Sequence, residues 1–444
     1  MRPRPPGPRI NVLLGVFGFD PLAFALHNAR RYGDLVYYRV GPLRMFQVSH
    51  PDLARQVLVE EPEKYQKPLI FKRALRPFAG QGLITSDGAL WKQQRKLMQP
   101  AFHYGAVAAY GDVMVAHARR VAAGFREGEV IELQSVMSAL TLAVVVECLF
   151  GGDATRYAHE VGPPMVAVLE ASNHRLNSVL RLPDWVPTPR HLRERKALER
   201  LDAILNELIA ARRQSPSARR DLFAMLLAAV DQESGVRMSD RQLCDELMTL
   251  FLAGHETTAN ALMWTWFLLS QHPEAETMLA GELDRVLRGR APTAADLPNL
   301  PYTEMVIREA LRLYPPAPGV AREPIEDVVL GGYRVPKGSL VIVNAYVMQR
   351  DERFFEYPER FDPSRFEPGW EQRIPRYAYL PFGAGPRVCI GNSFAMMSAR
   401  LILATVAQQW RMALEPNQQV VPIALVTVRA RDGVRMQLTT RQPT

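Results

Sequence analysis

Of the three cysteines in the chain, Cys389 lies in a setting that prepares its sulfur for chemistry. It belongs to the run Phe382-Gly383-Ala384-Gly385-Pro386-Arg387-Val388-Cys389-Ile390-Gly391. Gly383 and Gly385 fit a tight turn and let the backbone pass close to a large flat ligand. Arg387 puts a permanent cation two residues from the sulfur, and Gly391 keeps side-chain bulk away just after it. A neighbouring cation lowers a thiol pKa and favours the thiolate. A lone thiolate on a glycine-rich loop suits the axial ligand of a haem iron. The alternative is a buried structural cysteine, the usual state of that residue, and the detail of the spacing argues against it.

A second constellation is Ala253-Gly254-His255-Glu256-Thr257-Thr258, in the middle of a helix that Ser239-Asp240 caps and that runs to about Ser270. A carboxylate in an apolar helix needs a reason. Small side chains at Ala253 and Gly254 would let the helix cross closely over a flat cofactor. An acid beside a hydroxyl, Glu256 beside Thr257, can relay protons. The competing reading is a threonine bonded back to its own helix and a glutamate in an ordinary ion pair. These residues alone do not choose between the two.

The cysteine loop resembles the haem-binding loop of the cytochrome P450 monooxygenases, Phe-Gly-x-Gly-x-Arg-x-Cys-x-Gly, with every fixed position present. The helical segment is similar to the same family's oxygen-activation motif of small residue, glycine, any residue, acid and threonine. The resemblance runs from about Pro5 to the carboxyl terminus. It implies haem b (iron protoporphyrin IX) as cofactor, with Cys389 as the metal ligand and Phe382, Gly383, Arg387 and Gly391 forming the loop around it. It also implies Ala253 and Gly254 against the haem face, and Glu256 and Thr257 as the groups that organise protons for bound O2. Trp91 and Arg95 match the family's Trp-x-x-x-Arg pair for the haem propionates, and Arg322, thirteen residues beyond Glu309, stands where members often place another partner. His103 is a further candidate.

Glu309 and Arg312 share one helical face. The resemblance joins them to Arg360, in Tyr357-Pro358-Glu359-Arg360-Phe361, as an interior triad that braces the cysteine loop. Gln349-Arg350-Asp351 departs from the pattern, since many relatives carry histidine where Gln349 stands. Phe71, Phe78, Leu83, Ile84, Val320, Leu425 and Val426 fall in regions that line substrate pockets in the family. Each has ordinary core as its alternative, and their apolar character suggests a lipophilic substrate such as a fatty acid, terpenoid or carotenoid.

The elements that must hold these groups are mostly helical. Pro21 to Tyr32 has helical spacing, Asp34 to Val40 and Arg44 to Val48 read as a hairpin about Gly41-Pro42, and a long helical block runs from Pro51 to Leu313. Strand character returns at Val328–Leu330, Leu340–Val343, Leu425–Val428 and Val434–Leu438. Pairing between the two ends of the chain then favours one catalytic domain over residues 1–444, although length alone would suggest two or three. The expected class is mainly α with small β-sheets (α+β), which in the family means the cytochrome P450 fold with a long central helix over haem.

Hydrophobic residues form 48% of the 444, enough for a large core. Three cysteines are too few and too odd in number for a disulfide framework, which points to the cytoplasm. Prolines crowd the amino terminus where a signal peptide or membrane anchor would need an apolar helix. Leu247 to Leu269 is apolar enough to resemble a membrane span, but His255, Glu256 and Asn260 make a buried core helix the better reading. The basic run Arg190 to Arg200 reads as a solvated helix face. The net charge of +8 suits an acidic partner, and no aromatic-basic motif supports nucleic acid.

No phosphate-binding glycine loop marks a flavin or nicotinamide domain. Electrons are therefore expected from a ferredoxin or flavodoxin with its NAD(P)H-dependent reductase, docked on cations such as Lys92, Lys96 and Arg387 of a monomer. The resemblance implies a haem-thiolate monooxygenase that inserts one oxygen atom of O2 by hydroxylation or epoxidation. A peroxide-driven haem oxygenase or isomerase, or a non-catalytic haem sensor, are the alternatives.

Overall fold

The computed structural model describes every residue except 1–3, 9–19, 152–159, 162, 165–166, 169–170, 172–185, 187, 215–220, 232, 234, 425 and 442–444. Five helices position the site: α1 (Gly88–Met98), α2 (Leu133–Phe150), α3 (Asp240–Gln271), α4 (Pro301–Leu313) and α5 (Asn392–Ala407). α3 is the organising element. Its start is set by a capping box, in which the Ser239 hydroxyl accepts the Gln242 N–H at 3.2 Å and the Gln242 side chain accepts the Ser239 N–H at 2.9 Å. Leu247, Phe251, Leu262 and Trp264 along it are wholly buried, so the apolar stretch that resembles a membrane span is an interior helix.

α2 packs along α3. It is also the single described helix long and apolar enough to cross a membrane, and more than half of its apolar window is buried inside the protein. The hydroxyl of Thr141 on α2 donates to the carbonyl of His255 on α3 at 3.0 Å. Gly254 completes this approach, since a Cβ there would stand 3.1 Å from a methyl of Val145.

Among the described residues, twelve short strands fall into four sheets: β1 (Leu35–Val40), β2 (Leu43–Val48), β3 (Tyr65–Gln66), β4 (Val130–Glu132), β5 (Val320–Pro324), β6 (Val328–Leu330), β7 (Tyr333–Val335), β8 (Leu340–Val343), β9 (Trp410–Leu414), β10 (Pro422–Ala424), β11 (Val428–Ala430) and β12 (Arg435–Thr440). The largest has the order β1-β2-β8-β5-β3. β2 runs parallel to β8 with Val48 opposite Val343, so the hairpin near the amino end and a strand from the far half of the chain share one ladder. A second sheet, β4-β12-β9, also joins distant segments. Of the expected strand at Leu425–Val428, Leu425 lies outside the described residues, Val426 and Thr427 form a bend, and Val428 opens β11, which pairs with β10. Val434–Leu438 shifts to Arg435–Thr440 as β12.

The cysteine loop enters from this sheet region and leads into α5. Gly383 and Gly385 have φ of +72° and +71°, the left-handed region that glycine reaches without strain. At Gly385 a Cβ would also meet the Leu58 carbonyl oxygen at 1.9 Å. Gly385→Ala is expected to lower stability by roughly 1–3 kcal/mol from backbone strain alone, with the displaced Leu58 adding to it. Gly124→Ala, where the methyl meets nothing within 4 Å, is the control. Equal denaturant midpoints for the two variants would show that the loop tolerates a side chain at Gly385.

Candidate functional site

The sulfur is held by backbone. The Cys389 N–H donates to the Phe382 carbonyl at 3.0 Å, and the Val388 N–H to that of Gly385 at 3.0 Å, which closes the loop on itself. The Arg95 guanidinium reaches across from α1 to the Val388 carbonyl at 2.8 Å. Burial pushes the Cys389 thiol up, while the Gly391 N–H and the Arg95 charge pull it down. Cys389 lies deep in the protein, and the surface it exposes opens into a cavity. The Gly391 N–H and Arg95 of α1 thus favour the thiolate, in place of the Arg387 cation expected from the sequence, which pairs with Asp87 instead, and a bound metal cation would supply the remainder.

The cavity measures about 350 Å³. Cys389, Phe382, Gly383 and Gly391 line it on one side, with Phe394, Ala395 and Ala399 of α5. Across from α2 and α3 come Val145, Leu149, Leu250, Ala253, Gly254 and Thr257. Ala253 and Gly254 therefore face the same space as the sulfur. The Thr257 hydroxyl lines the cavity and donates to the Ala253 carbonyl one turn back at 2.7 Å. Glu256 turns away, and its carboxylate accepts a 2.7 Å hydrogen bond from Thr427, in the turn between β10 and β11.

Three cations line the same cavity: Lys67, Arg322 and Arg387. Arg387 pairs with Asp87 at 3.1 Å, donates to the Tyr65 carbonyl at 2.9 Å, and lies over the Trp91 ring at 5.4 Å. Trp91 and Arg95 thus meet the loop through Arg387 and Val388. Arg322, 7% exposed, has no ion-pair partner within 4 Å among the described residues and donates to the Ala321 carbonyl. Burial, helped by Arg387, lowers its pKa to about 10. Lys67 was not legible as a site residue. Its ammonium donates to the carbonyls of Leu83 and Ser86, both at 2.6 Å, and burial lowers its pKa to about 7 against the pull of Asp87. Asp87, which Lys72 also shares, and Glu246, which acts on Lys67, leave these partly desolvated cations with an excess of positive charge. A flat group carrying two carboxylates fits that excess, as a soft metal ion fits the thiol and the small residues fit a macrocycle. The donor set matches haem b.

The interior brace differs from the sequence expectation. Glu309 and Arg312, both fully buried, form a two-point pair at 2.7 and 2.8 Å. Arg360 is exposed and contributes its main-chain carbonyl, which accepts from Arg312 at 3.0 Å. The third side chain near Glu309 is Arg365, at 3.4 Å. The turn at Tyr357, where φ is +46°, directs the Arg360 side chain outward, and the short helix Pro363–Phe366 brings Arg365 in. Gln349 completes the brace, with its amide donating to the Leu311 and Arg312 carbonyls at 3.1 and 2.8 Å and its oxygen accepting the Leu380 N–H at 2.8 Å. A neutral histidine offers one donor and one acceptor and could not make all three.

Other expected positions lie elsewhere. His103 is exposed at the end of the turn that buries Ala101 and Phe102, and Phe102 lines the cavity in its place. Phe71 packs beside Val36, Tyr38 and Met45 under the large sheet, whereas Phe78, Leu83 and Ile84 belong to the main core. None of these four is among the cavity's lining residues. Val320 does line it, Val426 is exposed, and Leu425 lies outside the described residues. Of the cations expected to dock a partner, Lys96 is paired with Asp231 and Glu233 and Arg387 is turned inward. Lys92 is exposed.

The family model described as Cytochrome P450 matches residues 3–431. Cyclooctatin synthase from Streptomyces melanosporofaciens is 40% identical over 90% of this chain and 88% of that protein. Pentalenene oxygenase from Streptomyces avermitilis is 37% identical over 95% and 94%. Among solved structures, the heme domain of cytochrome P450DA superposes with a TM-score of 0.88 at 26% identity, covering 99% of this chain and 98% of that one.

Two outcomes follow from the geometry. Arg365→Leu is expected to cost roughly 1–3 kcal/mol by leaving Glu309 less satisfied, and Arg360→Leu less than about 0.5 kcal/mol, both read by denaturant unfolding; the reverse order would restore Arg360 to the brace. The Lys67 pKa is lower folded than its ordinary 10.5, so the unfolded chain binds more protons between about 7 and 10.5 and apoprotein stability rises with pH across that window. Propionates beside Lys67 would restore its charged form. Haem loading at pH 8 should let Lys67 take up a proton while Cys389 gives one up on ligation, so the net proton change, measured by calorimetry in buffers of different ionisation heat, should be small in the parent and become a clear net release in Lys67→Gln.

Proposed function

Because the chain belongs to the cytochrome P450 family, as a haem-dependent monooxygenase, we propose that its substrate is an uncharged terpenoid and that the oxygen is placed on a carbon of its ring system. The observation that carries this is the distribution of charge in the cavity. All three lining cations cluster around Asp87 and one another, where the propionates of haem would use them, and the remaining lining is apolar apart from threonine hydroxyls and cysteine thiols. A fatty-acid carboxylate would compete for the same cations. A hydrocarbon skeleton needs none. Pentalenene and cyclooctat-9-en-7-ol, in the names of two relatives, are polycyclic terpenoids of that kind.

Haem, when bound, supplies the activation of dioxygen. The protein supplies position and proton control. Cys389 would hold the iron, Lys67, Arg322 and Arg387 would hold the propionates, and the small side chains of Ala253 and Gly254 would leave room for the group. Val145, Leu149 and Leu250 exclude water and seat the hydrocarbon against that face. Thr257, which lines the cavity, is the group proposed to pass a proton into it, and Glu256 next to it is the acid proposed to recharge Thr257.

Electrons come, in this proposal, from a separate ferredoxin or flavodoxin with an NAD(P)H-dependent reductase. Lys92 is one exposed cation for the contact, and the net charge of +8 favours an acidic partner. The cytoplasm is the proposed location, in keeping with Cys148 and Cys244 as buried free thiols.

Reduced protein exposed to carbon monoxide should show the long-wavelength band of sulfur-ligated haem, and Cys389→Ser should remove it while leaving the fold. Pentalenene and lauric acid added to the oxidised protein then separate the substrate classes. The terpene is expected to shift the spectrum and to be oxygenated with NADPH and a surrogate ferredoxin system. A shift with lauric acid alone would overturn the substrate proposal.

A further inference from the structure

Glu256, Asn260 and Trp264 stand at successive turns along one row of α3, and all three face the turn between β10 and β11 or its continuation. The Trp264 indole N–H donates to the Val428 carbonyl at 3.1 Å. The Asn260 amide donates to the Thr427 hydroxyl oxygen at 3.1 Å, and that hydroxyl donates to the Glu256 carboxylate at 2.7 Å. Thr427 is 6% exposed and Asn260 is fully buried. The order of donors is forced. The Asn260 amide nitrogen only donates, so the Thr427 oxygen receives it and the one proton of that hydroxyl goes to the Glu256 oxygen.

That order leaves the Asn260 carbonyl oxygen buried without a donor among the described residues. An unsatisfied buried acceptor is uncommon and calls for a compensating role. Turning the amide over would bring the Asn260 oxygen to Thr427 and compete for the one hydroxyl proton that Glu256 uses. The contact to the acid is thus maintained against a local cost. Meanwhile the neighbouring Thr257 points into the cavity and Glu256 does not line it.

We propose that Thr427, oriented by Asn260, is the positioning residue for Glu256, holding the acid beside Thr257 and tying it to the β10–β11 hairpin. This deepens the monooxygenase reading, on which the role of Glu256 rests. Neither Thr427 nor Asn260 touches the reacting atoms. Each acts through the carboxylate, fixing where its proton can be handed on. Thr427 also makes the acid mechanically part of the hairpin, whose next residue, Val428, donates its N–H to the Pro316 carbonyl in the cavity wall at 2.8 Å.

The test uses the haem-loaded full chain as Thr427→Val, Thr427→Ser, Glu256→Ala and the double variant Thr427→Val/Glu256→Ala. In the resting protein, amide hydrogen exchange in Val428–Ala430 should speed up in Thr427→Val and in Glu256→Ala, with no further gain in the double variant; Thr427→Ser should return it to the parent rate. During NADPH-driven oxygen consumption with a surrogate ferredoxin system, Thr427→Val should be about tenfold slower, short of the 10²–10⁴-fold typical of losing an acid outright, and should show a larger solvent deuterium effect. Additive exchange effects, or a Thr427→Val solvent effect equal to that of the parent, would overturn the assignment. A parent protein that consumes no oxygen would count against the monooxygenase reading instead, and the exchange arm would still decide whether the bridge acts as one unit.

Discussion

Every N–H of the Arg312 guanidinium is used. Nε and one Nη2 proton hold the two oxygens of Glu309, the Nη1 protons reach the carbonyls of Gln349 and Pro358, and the last Nη2 proton reaches that of Arg360. One planar cation thereby fixes α4 against two stretches of irregular chain that come after it, the second of which leads into the cysteine loop. Lysine could not substitute, because its three donors radiate from a point whereas this site requires a fork in a plane. Buried ion pairs add little net stability. This one earns its place by geometry, since irregular chain has no ladder of its own to set its position.

Gln349 extends that constraint to within two residues of Phe382. Its amide caps the last carbonyls of α4 while its oxygen holds the N–H of Leu380. From there the loop is determined locally: Gly383 and Gly385 take left-handed turns, and the Cys389 N–H returns to Phe382. The sulfur's position therefore descends from a helix through one guanidinium and one amide. The absence of a Cβ at Gly385, against the Leu58 carbonyl, then presses the loop onto the sheet side of the protein.

What the sequence disclosed and what it withheld divide along contact distance. The short motifs that hold Cys389, Arg387, Glu309, Arg312, Trp91 and Arg95 were legible in their internal spacing, whereas the contacts of Trp91 with Arg387 and of Arg95 with Val388, outside the cavity lining, were not. α3 was legible to within a residue or so because its cap and its buried face are local features. Arg365 was confused with Arg360 because five residues of irregular chain have no periodicity that says which side chain turns in. Lys67 and Thr427 were missed for a related reason: their partners lie from sixteen to more than a hundred and seventy positions away, at Leu83 and Glu256. The expected pocket residues erred in the other direction. An apolar residue in a loop near a cavity has the same composition whether it faces the cavity, as Val320 does, or the core, as Phe78 does.

The cavity combines two environments that would be unfavourable apart. Lys67, Arg322 and Arg387 are partly stripped of water with fewer carboxylates than cations among them, and burial weakens the hold of each on its proton. Opposite them the α2 and α3 side offers hydrocarbon. A ligand that is anionic at its rim and flat and apolar over its face relieves both at once, so its binding free energy becomes folding free energy for the walls that meet it. That is why the same residues serve stability and selectivity. If the cofactor neutralises that rim, as proposed, no lining charge would be left to attract or orient a charged guest, and discrimination among guests would pass to shape, set by residues such as Val145, Leu149, Leu250 and Val320.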